Sequence, residues 1–184
     1  MRENYNWYVL YTRANAENRV VKDISEAFLN RKTDYSLDAF CPESEYYYRT
    51  SKAVDKVYKK RPLFPGYVFL ETDMPEKEFL KLFSAYIYES ADIIRLLRNG
   101  ANGSIAINPD ERVRFEYLFK GRRCLEHSVG YIKGDVVTVS SGPLMGLEGQ
   151  ITHINRHGQV ATVKIDMFGR ALEAKLALEI VSKS

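Results

Sequence analysis

The hydrophobic period changes part-way along this chain, and that change limits what it can fold into. Up to about residue 120, apolar residues recur at three and four in some segments and at two in others; beyond Val129 the period of two dominates. A helix needs the first spacing to bury a stripe, and a strand needs the second to bury a face. A chain that mixes both and then drops one therefore reads as two folding regions. With 184 residues there is enough length for a medium and a small domain, each with its own core.

In the first region WYVLYT, at 7 to 12, is β-prone and apolar on both faces, which predicts a strand in the middle of a sheet covered on at least one side. From Asn15 the period lengthens. Val20, Val21, Ile24, Ala27 and Phe28 predict an amphipathic helix over about 16–30, with Asn15 as its N-cap. Asp73-Met74-Pro75-Glu76 and Asn108-Pro109-Asp110-Glu111 are helix-start signals. Pro at the first helical position forfeits no bond, and acidic residues there suit the positive end of the helix dipole, so helices are predicted near 75–86 and 109–119. Strands are expected at 45–49, 56–59, 67–71 and 93–97. The fold class is α+β, with an N-terminal α/β sandwich whose sheet is mostly antiparallel.

The charge-rich, aperiodic segment 121–128 is expected to link this domain, residues 1–120, to a second at 129–184. There VVTV, QITHI, VATVKI and ALEAKL are separated by SSGPLMG, NRHGQ and MFGR, the spacing of a small five-strand barrel. Only ALEAKLALEI carries helical spacing, so a permanent barrel is expected.

Composition narrows the function classes. The net charge of +3 is too small to imply nucleic acid by itself, and Cys41 and Cys124 are too few for a disulfide scaffold or a cysteine zinc site. No apolar run approaches the roughly 20 residues that span a bilayer, and the N-terminus lacks a secretory apolar segment, so a cytoplasmic protein is expected. His153 and His157 are spaced HxxxH but run from a strand into a turn without a third ligand, and no metal is expected. No nucleophile–base order, paired carboxylates or phosphate loop emerges; neither an enzyme nor a cofactor is expected.

The tail GDVVTVSSGPLMGLEGQITHINRHGQVATVKIDMFGR resembles the KOW motif and SH3-like barrel of the NusG family of transcription elongation factors. With WYVLYT and PLFPGYVFLE in the family's order, the resemblance covers nearly the whole chain. It implies an NGN-type N-terminal domain that binds the clamp helices of the largest RNA polymerase subunit, favours processive elongation and suppresses termination. The barrel is implied to recruit a small-subunit ribosomal protein or Rho, and the protein to act as a monomer. The tyrosine-rich basic region at 46–61 and SAYIYESADIIRLL look more like the antitermination paralogues of the LoaP group, for which a nascent RNA hairpin, or else exposed non-template DNA, is the implied signal. A housekeeping NusG-like factor and a KOW-containing ribosomal or RNA-processing protein are the alternatives.

Candidate residues follow. In RPLFPGYVFLE, Pro62 and Pro65 fix φ and Gly66 relieves the corner, so Phe64 is expected to face outward as a preordered anchor for polymerase. Burying such a ring on a partner contributes up to about 3 kcal/mol. Tyr67, Tyr8 and Tyr11 are weaker candidates for the same patch, and the other reading is that Phe64 and Tyr67 fill the core. For nucleic acid, RTSKAVDKVYKKR supplies Arg49, Lys52, Lys56, Lys59, Lys60 and Arg61 beside Tyr46, Tyr47, Tyr48 and Tyr58. Such cations neutralise phosphates and such rings stack on unpaired bases, although a charged hairpin also suits a solvated tip. Arg13, Arg19 and Lys22 at the start of the first helix, and Arg122 and Arg123 in the linker, complete that set. In the barrel, Leu147, Phe168 and Arg170 fall at family positions that face partners; Phe168 also suits the core.

Overall fold

The structure is a computed structural model that describes residues 5–48, 57–100, 102–134 and 136–183. Contacts divide the chain into two compact units. One is built from Met1–Cys41, Pro65–Val113 and Met167–Arg170, the other from Pro42–Phe64, Arg114–Asp166 and Ala171–Ser184.

The first unit is organised by β1 (Asn6–Thr12), the expected central strand. It lies between β5 (Tyr67–Thr72) and β6 (Ile93–Leu96), with β2 (Leu37–Phe40) beyond β5, in a four-stranded antiparallel sheet of order β2-β5-β1-β6. Tyr8, Leu10, Val68 and Leu70 form one buried cluster with Val20 and Ile24 of α1 (Glu17–Leu29) and Phe79 and Phe83 of α2 (Glu76–Glu89). The alternate residues Trp7, Val9 and Phe69 are also buried, and Trp7 meets Phe40 and Phe69 edge-on at 5.8 and 6.0 Å. Both faces of WYVLYT are thus covered, which explains why its apolar residues do not alternate with polar ones.

Helix starts depart from expectation in detail. Asn15 has a left-handed φ of 63° and is not the cap of α1; Ala16 holds that position without a side-chain bond. Pro75 is the N-cap of α2 in extended backbone, one residue before the helix, whereas Pro109 opens α3 (Pro109–Phe119) as expected.

In the second unit, β3 (Glu43–Tyr48) and β4 (Val57–Pro62) pair antiparallel, and β7 (Cys124–Leu125) adds in parallel to the root of β3. A two-residue strand has no period, so nothing in the sequence of 121–128 marks β7. The remaining strands are β8 (Ser128–Lys133), β9 (Val136–Ser141), β10 (Ile151–Asn155), β11 (Val160–Met167) and β12 (Arg170–Lys183), in the order β10-β11-β12-β8-β9, with β12 parallel to β8. These are the strands of the expected five-strand barrel. ALEAKLALEI lies within β12, where Ala174, Leu176, Ala177 and Leu178 are buried and Lys175 is exposed: the segment is strand despite its helical spacing.

Gly142 shows how tightly the β9 end is built. Its φ is +96°, and a Cβ there would lie 2.6 Å from both Cα and Oγ of Ser128 and 2.8 Å from the His127 carbonyl oxygen. Ser128 is fully buried, and its Oγ accepts the Leu144 N–H at 3.1 Å. Gly142→Ala is expected to cost about 2–3 kcal/mol, read as a lowered urea midpoint with an unchanged slope.

Candidate functional site

The Pro-Leu-Phe-Pro-Gly corner is held at Gly66 by a buried carboxylate. Glu17, 4% exposed at the first turn of α1, accepts the Gly66 N–H at 2.6 Å. The Gly66 carbonyl accepts the Thr12 N–H at 2.7 Å. Gly66 has φ +84°, and an added Cβ would sit 3.0 Å from the Tyr11 ring, so the position requires glycine. Helix, central strand and corner therefore meet through two short hydrogen bonds.

The expected anchor does not face outward. Phe64 is 2% exposed and meets Phe115 edge-on at 5.9 Å, while the Leu63 N–H donates to the Pro42 carbonyl at 2.7 Å. The prolines restrict the backbone but do not choose the side chain's direction; burial against an aromatic partner does. Tyr8 is likewise not a surface residue. Its ring packs on Phe79 at 4.2 Å, its hydroxyl donates to the Met74 carbonyl at 2.8 Å, and burial, then the Glu76 charge, pushes its pKa far up.

Tyr67 and Tyr11 do remain partly exposed, and the sheet register sets them side by side. Their ring centroids are 5.2 Å apart, and Arg95 of β6, opposite Tyr11, places its guanidinium 5.7 Å from the Tyr11 ring. Three adjacent strands thus present a row of Tyr67, Tyr11 and Arg95. Arg95 escaped the sequence reading because its neighbours are set by strand pairing and not by chain order.

The cations at the first helix are unequal. Arg13 is exposed. Arg19 forms a two-pronged pair with Asp92, Nε–Oδ2 and Nη2–Oδ1 both 2.6 Å, which raises its pKa through those hydrogen bonds first. Lys22 lies 3.7 Å from Glu26 one turn on, a weak surface pair. Arg122 pairs with Glu126 at 2.8 Å, and the Arg123 carbonyl accepts the Glu43 N–H at 2.9 Å.

Arg49, Lys52 and Lys56 lie outside the described residues. The described arms of the hairpin have two different faces. Tyr47 packs on its cross-strand partner Tyr58 at 6.1 Å, Tyr58 stacks on His127 at 4.4 Å, and the Tyr58 hydroxyl reaches Glu179 at 3.4 Å. Burial, then the Glu179 charge, pushes the Tyr58 phenol up to about 12. On the opposite face Lys59 lies over Tyr48 and Arg61 over Tyr46.

In the barrel, Leu147 is partly exposed and Arg170 exposed, whereas Phe168, at φ 53°, is 7% exposed and so is not the open apolar contact expected of it. Among the described residues no group of His, Cys, Asp and Glu could hold a metal ion, and no helix is long and apolar enough to cross a membrane.

An antiparallel sheet with α1 and α2 packed on one face, followed by a small five-strand barrel, defines a two-part α+β architecture. The family model described as "Transcription termination factor nusG" matches residues 5–116 and the KOW motif matches 133–166; the chain belongs to the NusG family. It is 26% identical over 180 residues to the "Transcription termination/antitermination protein NusG" of Staphylococcus epidermidis, covering 96% of this chain and 94% of that one. The protein of the same name in Borreliella burgdorferi is 25% identical over 184 residues, covering 96% and 97% respectively. A solved structure on domain interaction in Thermotoga maritima NusG aligns with a TM-score of 0.49 and 17% identity, covering 95% of this chain and 94% of that one.

Glu17→Ala removes the only side-chain acceptor described for the Gly66 N–H. The expected loss is about 2–3 kcal/mol by chemical denaturation, with Glu17→Gln, which keeps an oxygen there, losing less. Tyr58 gives a second outcome. Its raised pKa means the unfolded phenol ionises first, so its contribution is complete below pH about 10 and declines as pH rises toward 12. Tyr58→Phe is expected to shallow the fall in stability across that range.

Proposed function

We propose that this NusG-family chain is an antitermination factor that rides on elongating RNA polymerase. The observation that carries this reading is the Tyr67–Tyr11–Arg95 row. Two aromatic rings and a guanidinium are the residue types enriched in binding hot spots, and on hydrogen-bonded strands they lose little freedom when covered. On this reading the row, in place of Phe64, meets the clamp helices of the largest polymerase subunit. Tighter binding to the closed clamp than to the open one shifts the enzyme toward the processive state by that difference in affinity.

The domain at 1–120 carries this contact. The domain at 129–184, joined through 121–128, holds a second partner through Leu147 and Arg170, a small-subunit ribosomal protein or Rho, and raises its local concentration. The tyrosine-rich basic hairpin favours a specialised paralogue of the LoaP kind over a housekeeping factor, because it adds a surface suited to a nucleic-acid signal, with Arg13 as a further exposed cation. Such a protein works in the cytoplasm, where transcription takes place.

Tyr11→Asp and Tyr67→Asp are expected to lower co-purification with core polymerase at least tenfold. Read-through of an intrinsic terminator, assayed with purified polymerase, is expected to fall to the level without the protein. Unchanged retention and read-through, with the variants folded, overturn the polymerase reading.

A further inference from the structure

The β3–β4 hairpin sorts its aromatic and basic residues by face. Side chains alternate along a strand, and directly paired residues share a face. Tyr46 pairs with Lys59, Tyr48 with Val57 and Ser44 with Arg61, so the even positions of β3 and the odd positions of β4 lie together. On the other face Tyr47 and Tyr58 are taken up by each other, by His127 and by Glu179, while the Glu45 carboxylate accepts the His127 N–H at 2.9 Å. Those rings brace the fold.

The first face is occupied differently. Lys59 Nζ is 3.7 Å from the Tyr48 ring centroid, and the Arg61 guanidinium is 5.1 Å from that of Tyr46. Tyr48 is 42% exposed and Lys59 is exposed. Among the described residues neither phenol has a hydrogen bond and Lys59 has no carboxylate partner. Rings held by cations, and cations without anions, call for a ligand that brings both flat faces and negative charge.

We propose that this face, with Tyr46, Tyr48, Lys59 and Arg61, is a stacking platform for single-stranded RNA. The inference rests on the nucleic-acid reading above and deepens it. Residues two apart on a strand stand about 6.8 Å apart, twice the roughly 3.4 Å rise of stacked bases. Neighbouring bases reach neighbouring rings only when they are splayed from one another, which a base-paired helix does not permit. Lys59 then neutralises a phosphate between them, while Arg61, whose Nη2 is buried, holds the Tyr46 ring in place. The phenols of Tyr46 and Tyr48 can each donate to and accept from a ribose 2′-hydroxyl, which favours RNA over DNA as the occupant.

The test is fluorescence anisotropy of the full chain with an unstructured RNA of about 12 nucleotides, the same RNA as a duplex, and the matching single-stranded DNA. The single-stranded RNA is expected to bind tightest. Tyr48→Leu and Tyr46→Leu, which keep bulk but remove the ring, are each expected to weaken it about tenfold. Lys59→Gln, which removes the charge over the Tyr48 ring, is expected to reduce the log–log salt slope by about 0.7. Lys60→Gln, the same charge lost from the other face, is expected to leave that slope unchanged. If the intact chain binds but both leucine variants and Lys59→Gln bind equally well, the platform is overturned while the nucleic-acid reading stands. If the duplex binds as tightly as the single strand, stacking is overturned; if DNA binds tighter, the RNA assignment is. If the intact chain binds none of the three, both readings fall.

Discussion

The first unit depends on a single buried contact, the Glu17 carboxylate on the Gly66 N–H. A carboxylate this deeply buried is costly unless its lone pairs are used, and here it accepts the Gly66 backbone donor. The same glycine's carbonyl takes the Thr12 N–H, so the start of α1, the end of β1 and the start of β5 are fixed to one residue. The placement of the tyrosines at this end of the two inner strands follows from that. Tyr11 and Tyr67 are the terminal pair of the β1–β5 register, next to the pinned corner, and a shift of one residue in either strand would turn its ring to the opposite face.

Much of the architecture was legible because it rests on local rules. The central strand, three helices and most strands of the barrel each carry a period long enough to read, and Pro109 marks its helix start where the dipole and the missing donor say it should. What escaped was decided by partners distant in sequence. LDAF at 37–40 is half Asp and Ala, residues depleted in strands, and β7 at two residues is too short for a period; both exist through pairing with β5 and β3. Asn15 has the chemistry of a cap, but the tight turn that links β1 to α1 needs a left-handed residue there, a conformation asparagine tolerates, so the cap falls to Ala16.

Site residues divide along the same line. A pattern of Pro, Phe, Pro and Gly announces a corner correctly, yet whether Phe64 looks in or out depends on Phe115, some fifty positions along the chain. Composition picked out Tyr46, Tyr47, Tyr48 and Tyr58 as one group, whereas register separates them into rings that brace the fold and rings left open. Glu17 and Arg95 had no signal at all, because a buried carboxylate and a cation over a ring look, in sequence, like ordinary surface charges.

The two aromatic surfaces differ in stiffness in a way that matches the partners proposed for them. Tyr11 sits on a strand bonded on both sides, so the Tyr67–Tyr11–Arg95 row moves little, and a rigid row suits another folded protein surface with fixed pockets. The hairpin is different. Beta7 supports β3 only at Glu43 and Ser44, and from Tyr46 to Tyr48 the pair is a two-stranded ribbon, braced on one face by Tyr58 against His127. A single strand of RNA has no fixed surface of its own, and a ribbon that bends can follow its backbone while the cation–ring pairs keep the stacking faces ordered. Tyr11, on a strand bonded on both sides, and the outer hairpin, bonded on one, thus differ in how many neighbours each strand has, a property of the topology and not of the residues that make contact.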